Sequence, residues 1–366
     1  MTVPRLTKTF EALPLDSGET LTPVTVAYET YGELNANRTN AVLVLHAFSG
    51  DAHAAGVSEV DGAPGWWDSM IGPGKGFDTN KYFVICSNVV GGCAGTTGPN
   101  SPCPTDGRPY GSRFPFVTIR DMVRLQAMLV RELGIERLLA VAGGSMGGMQ
   151  ALEWAVSYSE MTAAVIPIAT TYRHSAQQIA FNEVGRQAIM ADPDFQAGDY
   201  YGGPGPSRGL AVARMVGHIT YMSDDSMREK FGRRRRATGL DDGESGIFEI
   251  ESYLRYRGGQ FVTRFDANSY IVITRAMDTF DLTETAQALG DIFEGCRSRF
   301  LVLSFTSDWL YPSYQSHEIV RALRGRNQEV AYVELPSNYG HDAFLVEAGE
   351  QTEIIRGFLD STFKRV

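Results

Sequence analysis

The apolar run Leu138–Ala142 leads straight into Gly143-Gly144-Ser145-Met146-Gly147-Gly148. A buried strand that ends this way must turn sharply into a helix, lifting the serine hydroxyl clear of its neighbours. The glycines answer a steric demand: the serine sits at a strained backbone angle, and a Cβ on either side would strike the strand or the following helix. Gly143, Gly147 and Gly148 meet it. The turn is a nucleophile elbow, and its chemistry is acyl transfer. The chain holds 39 glycines, enough for G-x-S-x-G to arise by chance, so the strand-then-helix setting carries the inference more than the string does.

Around the elbow, short β-rich runs alternate with helical segments: Ala41–Leu45, Tyr82–Cys86, Leu138–Ala142, Ala163–Ala169, Arg299–Ser304 and Glu329–Leu335. This alternation predicts an α/β fold, a mostly parallel sheet with helices on both faces. Ile119–Leu133 has the apolar spacing of a covering helix, with Thr118 to cap its start and Gly134 its end. The helix that begins at Met149, Leu152, Trp154 and Ala155 points its N-terminus at Ser145, placing partial positive charge where an oxyanion would form. From Thr170 to Gly290 the rhythm breaks into polar helical stretches such as Gln177–Ala191 and Thr283–Leu289. The expected organisation is a core of residues 1–169 and 291–366 interrupted by a helical lid, 170–290.

Several function classes are excluded by composition. No apolar run approaches the ~20 residues of a membrane helix, and Met1–Phe10 is polar and basic without a cleavage site, so a cytoplasmic protein without membrane contact is expected. The net charge of −10 repels nucleic acid. Arg233-Arg234-Arg235-Arg236 reads as a solvated loop; an attractor for an anionic substrate is the functional alternative. Cys86, Cys93, Cys103 and Cys296 lack C-x-x-C spacing and read as buried free thiols. No histidine–carboxylate cluster has metal-ligand spacing, and no G-x-G-x-x-G turn precedes an acidic ribose anchor, so neither a metal nor a bound cofactor is expected.

A serine hydroxyl is a weak nucleophile and needs a histidine base, which needs a carboxylate to fix its tautomer. The α/β-hydrolase order is serine, acid, histidine, each on a loop beyond a strand. Asp308 follows the run Arg299–Ser304, and His341 follows Glu329–Leu335. His46, His53, His174, His218 and His317 lack that placement and read as structural. Asp342 rivals Asp308, but adjacent residues on a turn point apart. The oxyanion hole is expected from the backbone N–H groups of Met146 and of Phe48, in the loop after Ala41–Leu45.

Taken together, these residues resemble the homoserine O-acetyltransferases of the α/β-hydrolase superfamily. The matching strings span nearly the whole chain and include His46–Asp51, Gly65-Trp66-Trp67-Asp68, Asn88–Pro99, Gly143–Trp154, Asn182–Ile189, Ala213–Tyr221, Arg264–Tyr270 and Thr306–Pro312. The resemblance implies ping-pong transfer of acetyl from acetyl-CoA, as co-substrate, through Ser145 to the hydroxyl of L-homoserine, a step toward methionine. It carries the triad onto Ser145, Asp308 and His341, and amino-acid binding onto Arg214 and Asp342. A carboxylate suits the planar fork of an arginine and an ammonium suits a carboxylate; a lid salt bridge is the other reading of Arg214. Succinyl-using relatives carry an arginine where this chain has Leu310, so acetyl is expected. Thr96, Phe48 and Gly185 depart from the usual residues. The resemblance also implies a homodimer joined through the lid helices. L-serine as acceptor, or hydrolysis by a serine esterase, are the alternatives.

Overall fold

The computed structural model describes residues 2–59, 62–236, 246–284 and 286–366. Its centre is an eight-stranded sheet of β1 Leu6–Phe10, β2 Val24–Tyr31, β3 Ala41–Leu45, β4 Phe83–Ser87, β5 Ala140–Gly144, β6 Ala164–Ile168, β7 Arg299–Phe305 and β8 Val330–Leu335. The spatial order is β8-β7-β6-β5-β3-β4-β2-β1. Strands from β4 to β8 pair in parallel, and β2 and β1 close one edge in antiparallel fashion. This is the mostly parallel α/β sheet expected. The edge pair was missed, although β2 alternates buried and half-buried positions along most of its length, the period of a half-covered strand.

β3 shows why the central strands read as unbroken apolar runs. All of Ala41–Leu45 is buried; Leu43 and Leu45 enter one core and Val42 and Val44 the other. Successive side chains leave a strand on opposite faces, and here both faces are covered. One layer contains α1 Ile119–Glu132, α2 Met146–Ser157 and α8 Ser313–Gly325; α9 Ala348–Phe363 lies on the other. Thr118 caps α1 as expected: its Oγ1 accepts from Asp121 N at 3.1 Å, while Asp121 accepts from Thr118 N at 3.0 Å.

Between β6 and β7 the chain forms α3 Ala176–Met190, α4 Ser207–Tyr221, α5 Asp224–Lys230, α6 Glu249–Val262 and α7 Ala267–Asp278. α4 packs between α3 and α6, over a separate small core that includes Ile189, Leu210, Phe261 and Tyr270.

Three local expectations are corrected. Thr283–Leu289 is not a helix: Asp281 accepts from Thr283 N at 2.7 Å, turning the chain, and a short helix only starts at Leu289; Thr285 lies outside the described residues. Arg235-Arg236 is a two-residue strand paired with Ile247-Phe248 rather than a loop, with Arg235 stacked on the Phe248 ring; Ala237–Gly239 lie outside the described residues. All four cysteines are free, but only Cys86 is buried.

Candidate active site

Ser145 sits between β5 and α2 at φ 58°, ψ −123°, a region that a residue with a Cβ enters only under ~1–3 kcal/mol of strain. The surroundings hold it there. Ser145 N donates to Ile168 O at 2.9 Å, and its carbonyl accepts from Gly148 N at 2.9 Å and Thr170 Oγ1 at 2.7 Å. A Cβ on Gly147 would lie 2.1 Å from Leu45 O, so the helix can approach β3 only at a glycine. β5 runs two residues further than expected, through Gly143 and Gly144, which pair with Leu45 and Ile168. Met146 is the first residue of α2, where an N–H has no acceptor within the helix. Phe48 lies in the loop after β3, its ring against Phe265 and Tyr270 at 5.6 and 5.0 Å.

Asp308 and His341 come from the loops after β7 and β8, and Asp308 Oδ2 accepts from His341 Nδ1 at 2.7 Å. Its other oxygen accepts from Leu310 N at 3.0 Å and Tyr311 N at 2.8 Å. With Nδ1 donating to the carboxylate, the neutral imidazole keeps Nε2 as its basic nitrogen. Both groups are buried, Asp308 at 4% and His341 at 3% exposure. Gly340, at φ 73°, lets the histidine turn press against the end of α4: a Cβ there would lie 2.6 Å from Ser223 N.

Ser145 faces a narrow cavity of about 50 Å³ that Phe48, Tyr270, Leu310, Tyr311 and His174 also line. His174 is locally satisfied, as expected, but it is part of this wall. Its Nδ1 donates to Asp278 at 2.9 Å, so Nε2 accepts from the Tyr311 hydroxyl at 2.8 Å. Asp278 also accepts from Arg186 and Asn182, each at 2.7 Å. Burial raises the Tyr311 hydroxyl well above its usual range, so it stays protonated. The sequence carried no sign of this chain of contacts, because its members lie on four separate segments: the loop after β7, the loop before α3, α3 and α7.

Arg214, on α4, is held by neutral groups: Nε donates to His218 Nε2 at 3.1 Å and Nη1 to Ser49 Oγ at 3.2 Å, with Phe261 and Tyr221 rings 4.8 and 5.5 Å from the guanidinium carbon. Among the described residues no carboxylate is ion-paired with it, so the salt-bridge reading fails. Asp342 follows His341 on the same turn and leaves the Nδ1 bond to Asp308. Burial raises its carboxyl above the ordinary range, offset in part by His341, Arg214 and Arg257. Among the described residues its carboxylate has no hydrogen-bond partner. Neither Arg214 nor Asp342 therefore has an ion-pair partner among the described residues, although the two act on each other through space.

The remaining histidines are structural. His46 Nε2 accepts from Val89 N at 3.2 Å and burial holds the ring neutral; His53 pairs with Glu29 at 2.8 Å; His317 packs on Tyr332. Two of the departures have local causes. Thr96 Oγ1 accepts from Ala27 N and donates to Asn88 O, both at 2.9 Å, and at Gly185 the Tyr270 hydroxyl would stand 2.2 Å from a Cβ.

Residues 40–348 match the family model for the alpha/beta hydrolase fold. A homoserine O-acetyltransferase of Methanohalobium evestigatum is 56% identical over 354 residues, which cover 96% of this chain and 72% of that one. The chain belongs to the homoserine O-acetyltransferase family. Among solved structures, the homoserine O-acetyltransferase from Bacillus anthracis superposes with a TM-score of 0.91 at 30% identity, covering 98% of each chain. Esterase E22 is also similar, with a TM-score of 0.88 at 30% identity over 98% of this chain and all of that one. Family membership makes the protein an acyltransferase, while the esterase shows that this architecture also accommodates hydrolysis. No helix among the described residues is long and apolar enough to cross a membrane.

Proposed function

We propose that this enzyme transfers acetyl from acetyl-CoA to the hydroxyl of L-homoserine, a step toward methionine, through an acetyl-Ser145 intermediate. His341 takes the Ser145 proton as Oγ attacks the thioester carbonyl. The oxyanion forms against the N–H groups of Met146 and Phe48, and the thiolate leaves with the proton from His341. The homoserine hydroxyl then attacks the acetyl carbonyl while His341 accepts its proton, and the intermediate collapses with His341 returning that proton to the departing Ser145 Oγ. Asp308 holds the imidazole and stabilises its cation throughout.

The observation that carries this reading is that Arg214 and Asp342 have no ion-pair partner among the described residues. A half-buried charge without a partner costs several kcal/mol, and a zwitterion supplies both counter-charges, its carboxylate for Arg214 and its ammonium for Asp342. Water or a simple alcohol supplies neither, which favours transfer over hydrolysis. Leu310 in the cavity wall leaves a succinyl carboxylate unpaired and supports acetyl. Residues 170–290 serve as the lid of a core formed by 1–169 and 291–366. Exposed Ile179 and Val184 on α3 and Val212 and Ile219 on α4 support a homodimer through the lid. The enzyme is assigned to the cytoplasm, where its four free thiols remain reduced.

The test is mass-spectrometric product analysis with acetyl-CoA or succinyl-CoA and L-homoserine or L-serine, with Ser145→Ala as control. O-acetylhomoserine as the main, Ser145-dependent product supports the proposal. O-acetylserine, a succinyl ester or thioester hydrolysis alone would overturn the substrate assignment while leaving the fold intact.

A further inference from the structure

An arginine that binds a ligand carboxylate must be held in place without a carboxylate of its own, and Arg214 is held by an imidazole. Arginine only donates, so the 3.1 Å contact from Arg214 Nε requires a lone pair on His218 Nε2. The ring proton of the neutral imidazole then sits on Nδ1, which faces the Tyr253 hydroxyl at 3.3 Å. Tyr253 is fixed in turn: its ring packs on Phe231 at 4.9 Å, with Lys230 Nζ 4.6 Å from its centroid. His218 is 6% exposed and lies one helical turn after Arg214 on α4.

We propose that His218 is the positioning residue for Arg214: an imidazole acceptor, set by Tyr253 on α6, that fixes the guanidinium fork toward the carboxylate of the amino-acid acceptor. The inference rests on the reading of Arg214 as the acceptor's binding group. The arrangement solves a specific problem. A carboxylate in place of His218 would neutralise Arg214 and compete with the substrate, whereas a cation would repel it. A neutral imidazole orients the guanidinium and leaves its charge available. Burial and the nearby cations Arg214, Arg257, Lys230 and Arg264 press the His218 pKa to about 3, so it stays neutral at physiological pH. The clamp has a second jaw in Ser49 Oγ, 3.2 Å from Nη1 on the loop that follows β3. Arg214 therefore bridges α4 and the loop that carries Phe48. Nη2 has no partner among the described residues and is the edge left for the ligand.

The test is two-substrate kinetics on the full-length enzyme, separating acylation of Ser145 by acetyl-CoA from transfer to L-homoserine. His218→Leu removes the acceptor, whereas His218→Gln keeps an oxygen at comparable reach. The expected result is a roughly tenfold rise in the homoserine KM for His218→Leu, little change in the acylation rate, and recovery of most of the loss in His218→Gln. The double variant Arg214→Ala/His218→Leu should lose no more than Arg214→Ala alone, because His218 acts through Arg214. An unchanged homoserine KM in His218→Leu, alongside a large rise in Arg214→Ala, would overturn the positioning role while sparing the reading of Arg214. No effect of Arg214→Ala would overturn both. Equal losses in both half-reactions, unrescued by glutamine, would make His218 a structural residue only.

Discussion

The site joins two regions built on opposite electrostatic logic. At the ends of the sheet strands, the Asp308 carboxylate is fully engaged within the protein, accepting two backbone N–H groups and the His341 ring, and the Ser145 backbone is held by Ile168, Gly148 and Thr170. By contrast, Arg214 on α4 is held only by neutral partners, and Asp342, on the turn after β8, has no hydrogen-bond partner among the described residues. Groups that perform chemistry must be in place before substrate arrives, so their surroundings over-determine them. Groups that bind a charged ligand must keep their charge unspent until it comes. The difference supports the proposal that Arg214 and Asp342 are binding groups.

Substitutions can break or sharpen this contrast. The largest effect is expected from Ser145→Ala, which removes the covalent route and should lower kcat by ~10⁴-fold or more; a labelled acyl-enzyme surviving in the variant would place the nucleophile elsewhere. Asp308→Asn should keep the fold and cost about 10³–10⁴-fold in kcat, since the imidazole loses the partner that fixes its tautomer. A change confined to KM would show that Asp308 is a binding group and dissolve the contrast. Arg214→Lys keeps the charge but loses the planar fork, so kcat/KM for homoserine should fall on the order of 30-fold, with acylation by acetyl-CoA little affected.

The smallest effect concerns stability and carries the opposite sign. Because burial raises the Asp342 carboxyl above its unfolded value, the native state binds more protons than the unfolded chain, and stability falls as pH rises through that window. At neutral pH the whole cost is present. Asp342→Asn should therefore raise the melting temperature by on the order of 1–2 °C at pH 7 and raise the homoserine KM, with the thermal gain vanishing near pH 3. A melting temperature lowered at pH 7 would mean that Asp342 is already paired and belongs with the satisfied groups.

How far the site could be read in advance follows from how far apart its parts lie in the chain. The elbow was legible because its steric demand falls on immediate neighbours: Gly147 must be glycine wherever a helix passes that close to Leu45 O. Asp308 and His341 were legible through their order and their positions after strands. The partners of His174 and His218, Tyr311 and Asp278 in one case and Arg214 and Tyr253 in the other, were not legible, because they are mostly remote or carry no chemical signature. The four-residue step from Arg214 to His218 was the one readable hint. The antiparallel edge of β1 and β2 was missed because attention to parallel, fully apolar runs passes over a half-covered strand.

The sequence alone therefore determined the parallel part of the sheet, the elbow and the family, since periodicity and glycine placement act between neighbours in the chain. Only the tertiary structure decided that His218 is a neutral acceptor, that Tyr311 turns its proton toward His174, and that Arg214 and Asp342 remain unpaired. Those properties belong to burial and to contacts between distant elements, which exist only once the helices have folded across the sheet.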